Sequence, residues 1–303
     1  MVDKKTIFIT VGIPTYNSSI YLPDCLQSVL ESKSVNEVII SDDGSSKSEL
    51  QEIEKVIEFF KSKYKKNIFL FKQDINVGAF ANKLSIFDKC TNDFVYLLDS
   101  DNIAAKNLDF IVQKKIRTNL TKPYLFQPGV MYQFWNNHKI SKLMSLINKK
   151  YRVVFTKTDI VVSAQDAAKS LYENPGSYNL NDFEISDESF KYFENFKEKY
   201  EKFPKEKWIM WVLNCGNFIV NKNLILKIAN EGLGFERSVN SLDAVTFSYL
   251  WLKSGNQIKL FSNFYHHHRK RIDSVSFIES SNTAFAIEFF IKNIIKLIKS
   301  NEK

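Results

Sequence analysis

Apolar positions in the first hundred residues alternate between short continuous runs and a helical spacing. The continuous runs are β-branched or aromatic, which is typical of buried strands. Between them, apolar residues recur every three or four positions, which predicts helices with one buried face. The predicted strands are 6–13, 37–41, 68–71 and 94–98, and the predicted helices have their apolar faces within 22–30, 50–60 and 80–87.

These alternating elements predict an α/β fold, a Rossmann-like and mostly parallel sheet flanked by helices. Ligands of such sheets bind beyond the carboxyl ends of the strands. Each predicted strand is followed there by a turn of polar or small residues. One such turn alone would be ordinary loop chemistry, but four at one edge predict a binding site. The turns are Pro14-Thr15-Tyr16-Asn17, Asp42-Asp43-Gly44-Ser45, Asn76-Val77-Gly78 and Asp99-Ser100-Asp101.

The last of these turns has the chemistry of a metal site. In an extended segment, side chains two positions apart point to the same side, so Asp99 and Asp101 can approach one cation while Ser100 points away. A bound divalent ion would remove the repulsion between the carboxylates, and oxygen ligands favour Mg²⁺ or Mn²⁺. Such an ion would bridge the phosphates of a nucleotide diphosphate. The alternative is a helix cap or a turn, because Asp-x-Asp also occurs by chance.

Composition and charge limit the class of protein. The chain has 303 residues, 44% hydrophobic and 25% charged, which is the balance of a folded globular protein. Its net charge of +8 favours anionic partners, among them nucleotide diphosphates, anionic lipids and nucleic acid. The cysteines at 25, 90 and 215 lack metal or disulfide spacing, and we find neither a signal peptide nor a membrane-spanning run. We therefore expect a cytoplasmic protein.

The four turns and their order resemble the pattern of glycosyltransferase family 2, whose members have the GT-A fold. The segments are Ile13 to Asn17, Ser41 to Ser45, Asn76-Val77-Gly78 with Ala81-Asn82, and Leu98 to Asp101, which together cover about the first third of the chain. The resemblance implies that Tyr16 lines the base pocket and that Asp42 or Asp43 bonds the base or ribose. Asp101 would be the principal metal ligand, and Asp99 would contact ribose or metal. The donor-binding residues implied are Pro14, Thr15, Tyr16, Asn17, Asp42, Asp43, Asn76, Gly78, Asn82, Asp99 and Ser100.

A later segment resembles the catalytic part of the same family. Gly232 to Phe235, followed by Ser241-Leu242-Asp243-Ala244, is similar to the Gly-rich turn and acidic pair of these enzymes. Leu242 replaces the usual first acid. The resemblance implies that Asp243 is the general base that removes the acceptor hydroxyl proton, which gives one displacement and inversion. The alternative is an aspartate that interacts with the dipole of the helical run 245–253.

Three consecutive histidines precede a basic run, Arg269-Lys270-Arg271. In an extended segment His266 and His268 share one face and His267 lies on the other. Related enzymes place a metal-binding histidine here, and we assign His268 first and His266 second. Arg269 and Arg271 are expected near the donor diphosphate. The alternative is a solvent-exposed basic run.

The remaining segments predict acceptor contacts and a C-terminal helix. Residues 169–207 are read as an acceptor-binding excursion or a lid. Trp208 and Trp211 are candidates to stack on an acceptor sugar, although large aromatics more often lie in cores, and Asn217 is a third acceptor candidate. We divide the chain into a nucleotide-sugar half (1–120), an acceptor half of the same domain (121–275) and a C-terminal amphipathic helix (276–303). That helix is expected to pack on the domain or on a second subunit, or to lie on an anionic membrane.

Taken together, the resemblance implies a metal-dependent inverting glycosyltransferase. The donor would be a UDP-sugar, the cofactor Mn²⁺ or Mg²⁺, and the acceptor a glycan or lipid-linked hydroxyl in bacterial surface polysaccharide assembly, with peripheral membrane contact. The sequence does not support a nicotinamide dehydrogenase, because the first turn has no Gly-x-Gly-x-x-Gly. It also lacks the motif of a P-loop enzyme and any nucleic-acid recognition motif. A sugar nucleotidyltransferase and a non-catalytic nucleotide-sugar or glycan binder stay as alternatives.

Overall fold

The computed structural model describes residues 6–135, 152–167, 212–232 and 243–270. The strands are β1 (Ile9–Thr15), β2 (Val35–Asp42), β3 (Asn67–Lys72), β4 (Phe94–Leu97), β5 (Ile103–Ala104), β6 (Tyr124–Trp135), β7 (Arg152–Val154), β8 (Ile160–Val162), β9 (Phe218–Asn221) and β10 (Gln257–Lys270). The helices are α1 (Leu22–Leu30), α2 (Lys47–Tyr64), α3 (Ala79–Lys89), α4 (Leu108–Phe110, continued by a π-helical turn over Ile111–Ile116 and a 3-10 turn over Arg117–Asn119), α5 (Lys222–Gly232) and α6 (Asp243–Lys253).

The strands within the described ranges form one sheet. Its order is β3-β2-β1-β4-β9-β6-β10-β5, with β7 beside β6 and β8 beside β10. β3, β2, β1 and β4 are parallel to one another. β9 runs antiparallel to both β4 and β6, and β10 is parallel to β6. Three features therefore meet at one edge of the sheet: the end of β4, the loop before β9 and the end of β10.

Helices cover both faces of this sheet, and its central strands are therefore buried on both sides. On one face, α1 and α2 pack their apolar sides on β1 and β2 through residues such as Leu26 and Ile57, which lie in a core with Val11 and Ile40. On the other face, α3, α5 and α6 pack together, and Phe247 of α6 contacts Phe80 and Phe87 of α3. This second face brings the N-terminus of α6 close to α3, which positions the candidate site.

The predicted α/β fold and its mostly parallel sheet are confirmed, and each strand and helix predicted in the first hundred residues is present with shifted ends. The second half departs from simple alternation, since β5, β7, β8 and β9 run antiparallel to their neighbours. The predicted C-terminal helix lies outside the described residues. Among the described helices, none has the length and apolar character needed to cross a bilayer.

Candidate active site

The turns after β1 and β2 are tied together at the carboxyl edge of the sheet. The backbone N–H of Asn17 donates to Ser45 Oγ at 2.8 Å, and Asn17 Oδ1 accepts from the backbone N–H of Ser46 at 3.0 Å. Asn17 has a positive φ of 46°, a conformation that Asn tolerates better than most residues. Next to it, the Asp43 N–H donates to the carbonyl of Thr15 at 2.9 Å. The predicted donor residues of these two turns therefore form one continuous wall.

Asp42 and Asp43 shape this wall through different partners. Asp42 accepts from the N–H and Oγ of Ser45 at 3.0 and 2.5 Å, which closes its own turn. Asp43 accepts from the N–H groups of Val77 and Gly78 at 2.7 and 3.1 Å and so joins the turn after β3. Burial raises the pKa of the Asp43 carboxyl, although these two N–H donors oppose the shift. The predicted contact of Asp42 or Asp43 with a base or ribose would use lone pairs that these bonds leave over.

The turn after β3 is fixed to the start of α3. Asn76 Oδ1 accepts from the Gly78 N–H at 3.1 Å, and Gly78 has a φ of 90°, which glycine adopts without strain. Asn82, one turn into α3, donates from Nδ2 to the carbonyl of Ser41 at 3.0 Å and accepts from Ser41 Oγ at 2.6 Å. Both side chains were predicted as donor ligands. In the structure their amides bond within the protein, so a direct donor contact stays a prediction.

Replacing Asn82 by Ala is expected to lower the free energy of unfolding by about 1–3 kcal/mol, because it removes two buried hydrogen bonds to Ser41, one at its carbonyl and one at its hydroxyl. Asn82 is itself buried. Urea unfolding measures the change, and UDP affinity of the folded variant is measured beside it. A variant of unchanged stability that has lost UDP binding would instead make Asn82 a donor ligand.

An aromatic ring lies open beside these turns. Tyr16 is 48% exposed, whereas Thr15 is buried and its Oγ1 has no hydrogen-bond partner among the described residues. Pro14 lies within β1, next to its last residue, and is half-buried. An exposed tyrosine next to a polar wall is a suitable surface for a planar base.

The Asp99-Ser100-Asp101 turn begins where β4 ends, as predicted. The Asp99 N–H donates to Asn217 Oδ1 at 2.9 Å, and the Asp99 carbonyl accepts from the Asn102 N–H at 2.9 Å. Ser100 is buried, while the Asp99 side chain is 31% exposed. Asn217, predicted as an acceptor residue, therefore holds the Asp99-Ser100-Asp101 turn in place.

A buried lysine joins this turn to the predicted base. Lys83 Nζ lies 2.6 Å from Asp99 Oδ1 and 2.5 Å from Asp243 Oδ2, and its side chain is 6% exposed. Burial alone would lower the pKa of Lys83, but the Asp243 and Asp99 carboxylates raise it above its usual value. Burial alone would likewise raise the pKa of Asp99, but the Lys83 ammonium group holds it below its usual value. Asp99 and Asp243, 144 residues apart along the chain, thus share one ammonium group.

Lys83 was not among the site residues predicted from the sequence. Its signal was present, because Phe80, Lys83 and Phe87 fall on one helical face of α3. A lysine within an apolar stripe requires a buried partner of opposite charge. Nothing local in the sequence indicates that this partner is Asp99 and Asp243 together.

Gly216 forms the wall on the β9 side of this cluster. A Cβ at residue 216 would lie 3.0 Å from Asp99 Oδ2 and 3.1 Å from Lys83 Nζ. The backbone therefore approaches the charged pair more closely than a larger residue would allow. The antiparallel pairing of β9 with β4 produces this approach, because it places the loop before Phe218 beside the end of β4.

Two of the three histidines of β10, His266 and His268, lie near the same turn. His266 and His268 share one face, with ring centroids 6.2 Å apart, and His267 lies on the other face, stacked on Tyr132 at 5.2 Å. This confirms the predicted alternation. His266 is buried, and burial, aided by His268, lowers its pKa to about 3, so its imidazole is neutral. Its Nδ1 has no hydrogen-bond partner among the described residues.

Arg269 supports the turn from behind. Its Nε donates to the Asp101 carbonyl at 3.1 Å, its Nη2 pairs with Asp24 at 2.8 Å, and its guanidinium lies over the rings of Tyr21 and Phe134 at 5.0 and 4.6 Å. We predicted a donor contact for this residue. These contacts, together with its burial, show a side chain that holds the Asp101 backbone, and a direct diphosphate contact stays a prediction.

The structure describes part of the predicted site. Across the described ranges, no group of three or more His, Cys, Asp or Glu side chains is arranged to hold a metal ion. Asp99, Asp101 and His268 therefore do not form a complete ligand set by themselves. The predicted residues Trp208, Trp211 and Arg271 lie outside the described residues.

The fold and the site define a class. An α/β sheet of this order, with a carboxylate turn after β4 and a second carboxylate brought to it by α6, is the GT-A type of glycosyltransferase architecture. The chain belongs to glycosyl transferase family 2, whose family model matches residues 10–225. No curated protein matches the chain.

Solved structures show the same architecture at low sequence identity. S. aureus TarS superposes with a TM-score of 0.53 and 16% identity, covering 88% of this chain and 37% of TarS. TarS 1–349 in complex with UDP-GlcNAc gives 0.50 and 16%, covering 95% of this chain and 70% of that one. GalNAc-T7 with UDP, GalNAc and Mn²⁺ gives 0.53 and 14%, covering 89% and 45%. These identities establish the fold alone, and this chain spans less than half of TarS and of GalNAc-T7.

Proposed function

We propose that this chain transfers a hexosyl or hexosaminyl group from a UDP-sugar to an acceptor hydroxyl, with inversion at the anomeric carbon. One observation carries the proposal: Asp99 and Asp243 lie 2.6 and 2.5 Å from the same Lys83 Nζ. Asp99 follows β4 in the donor half, and Asp243 is the first residue of α6 in the acceptor half. A donor at the first and an acceptor at the second would have their reacting atoms side by side.

The donor is a nucleoside-diphosphate sugar because of what lines the sheet edge. Tyr16 offers a ring to the base, and the wall built by Asn17, Asp42 and Asp43 offers oxygen acceptors to base N–H or ribose hydroxyl groups. The similar folds of TarS, solved with UDP-GlcNAc, and GalNAc-T7, solved with UDP, support uridine as the base.

Asp243 is the general base of the proposed reaction. Its carboxylate takes the proton of the acceptor hydroxyl as that oxygen attacks the anomeric carbon. The new glycosidic C–O bond forms on the face opposite the diphosphate. The bond from the anomeric carbon to the diphosphate oxygen breaks, and its electron pair leaves with the nucleotide. This single displacement inverts the configuration.

The residues present fit a divalent cation. Asp99 and Asp101 offer carboxylate oxygens, and His268, or else His266, offers an imidazole nitrogen, a donor set suited to Mn²⁺ or Mg²⁺. The Nδ1 of His266 is buried and has no partner in the described parts of the chain. When bound, such an ion would neutralise charge on the departing diphosphate. Because the described protein groups do not complete a ligand set, diphosphate oxygens would supply the rest.

Thermal unfolding with nucleotides tests this donor assignment. UDP with Mn²⁺ is expected to raise the unfolding temperature, because a ligand present at about 100 times its Kd stabilises the folded protein by about 2.7 kcal/mol. Mn²⁺ alone and UDP with EDTA are expected to raise it much less, and ADP with Mn²⁺ is the matched control for the base. Equal shifts with ADP and UDP would remove uridine specificity, and no shift with any nucleotide diphosphate would contradict a nucleotide-sugar donor.

We extend the proposal to a glycan or lipid-linked acceptor at the cytoplasmic face of a bacterial membrane. The support is the predicted amphipathic helix 276–303, with lysines at 292, 296, 299 and 303, together with the net charge of +8. The described cysteines are all free and buried, which agrees with a reducing compartment.

A further inference from the structure

Lys83 lies where the donor and acceptor halves of the candidate site meet. Its Nζ contacts Asp99 Oδ1 at 2.6 Å and Asp243 Oδ2 at 2.5 Å. Gly216 closes the cluster on a third side, since a Cβ there would come within 3.1 Å of Nζ. With 6% of its side chain exposed, the ammonium group is held between two carboxylates and has little room to move toward β9.

We propose that Lys83 is a resident cation, a built-in positive charge that competes with the divalent metal ion at Asp99 and makes metal capture depend on the nucleotide. The inference rests on the proposed function, because it requires that Asp99 belongs to the metal site. It assigns Lys83 a positioning role rather than a contact with the reacting atoms.

Electrostatics gives the reason for this competition. A divalent ion that approaches Asp99 meets a carboxylate already neutralised by an ammonium group at 2.6 Å. The ion would also sit close to that positive charge in a poorly hydrated site, where repulsion is stronger than in water. A nucleotide diphosphate brings its own negative oxygens and offsets the repulsion, so metal and nucleotide are expected to bind together.

Asp243 gives Lys83 a second anchor. If the metal ion takes over Asp99, the ammonium group keeps its 2.5 Å contact with Asp243 Oδ2. Lys83 then holds the base carboxylate in place beside the donor. An arginine at this position would preserve the charge, whereas a methionine would preserve much of the length and remove the charge.

Direct Mn²⁺ binding tests the competition, measured by the loss of the free-ion signal in electron paramagnetic resonance. Wild type is expected to bind Mn²⁺ weakly alone and about tenfold or more tightly with UDP, a coupling of ordinary size for linked ligands. Lys83→Met is expected to bind Mn²⁺ without UDP about tenfold more tightly than wild type does, so its dependence on UDP shrinks. Lys83→Arg is expected to keep that dependence.

Two further variants keep the test decisive. Lys83→Met leaves the mostly buried Asp243 carboxylate without its ammonium partner, which could unfold the protein. The double variant Lys83→Met with Asp243→Asn removes that unpaired charge. In it, Asp99 is the one carboxylate of the cluster that has lost the ammonium group. Lys115→Met is the matched control. Lys115 Nζ pairs with Asp159 at a distance of 2.7 Å, and this pair lies outside the site.

The outcomes separate the two claims. If wild type with UDP fails to retain Mn²⁺, the metal part of the proposed function is wrong. If wild type with UDP binds Mn²⁺ but neither the single nor the double Lys83 variant gains Mn²⁺ affinity without UDP, the proposed function stands and the resident-cation inference is wrong.

Discussion

Replacing Asp243 by Asn is expected to slow sugar transfer by about 10²- to 10⁴-fold, the range that a positioned general base contributes. The amide cannot take up the hydroxyl proton, but its oxygen can still accept from Lys83 Nζ, which contacts Asp243 Oδ2 at 2.5 Å. The fold and UDP binding are therefore expected to persist. Steady-state kcat and KM, followed by UDP release, measure the effect, and UDP titration reports the binding.

Asp159→Asn is the matched control for this substitution, because Asp159 also pairs with a lysine but lies outside the site. It is expected to leave kcat unchanged. Should Asp243→Asn bind UDP and transfer sugar at the wild-type rate, Asp243 would be a structural aspartate at the start of α6. Absence of transfer in wild type with every sugar nucleotide and acceptor tried, despite tight UDP binding, would favour the non-catalytic binder.

The first half of the fold could be predicted because its signals are local. The spacing of a few neighbouring apolar residues predicts strands such as β1 and helices such as α1. The rule for ligand sites of parallel sheets then places four turns at one edge. The alternation of His266 and His268 follows from strand geometry in the same way. These inferences need only short-range information.

The second half resisted prediction because local signals there oppose the structure. β6 runs through Pro128 and Gly129, which ordinarily end a strand. Here the pairing with β10 shifts register between Phe261 and Tyr265, and the Gly129 carbonyl accepts from the Phe155 and Thr156 N–H groups instead. An irregularity in the partner strand thus accommodates both breakers, and the sequence of β6 alone does not show it.

The charged partners of the site could not be predicted from the local sequence either, because they are far apart along the chain. Lys83 and Asp243 are 160 residues apart, and Arg269 and Asp24 are 245 apart. Periodicity says that a face is buried, but it does not say which distant charge meets a lysine or an arginine on that face. Strand geometry proposed Asp99 and Asp101, and family resemblance proposed Asp243, whereas the groups that hold these carboxylates in place required the folded structure.

Replacing Asp101 by Ala is expected to slow transfer by about 10²- to 10³-fold, a loss similar to that from removing one electrostatic contact to a transition-state charge. The metal-dependent increase in UDP affinity should disappear with it, because Asp101 is the proposed principal ligand. The turn itself should survive, since Arg269 Nε bonds the backbone carbonyl of residue 101, which the substitution keeps. Transfer rates and UDP titrations, each with Mn²⁺ and with EDTA, measure both effects.

The control for Asp101 lies at the other end of the same strand. Asp93 immediately precedes β4 and is exposed, so Asp93→Ala removes an equal charge about one strand length from the turn. It should leave the rate and the Mn²⁺ dependence as in wild type. If Asp101→Ala kept both a near-normal rate and Mn²⁺-dependent UDP binding, the ion would have to be held elsewhere. Asp99 and His268 would then have to bind it without Asp101, and Asp101 would not be the principal ligand.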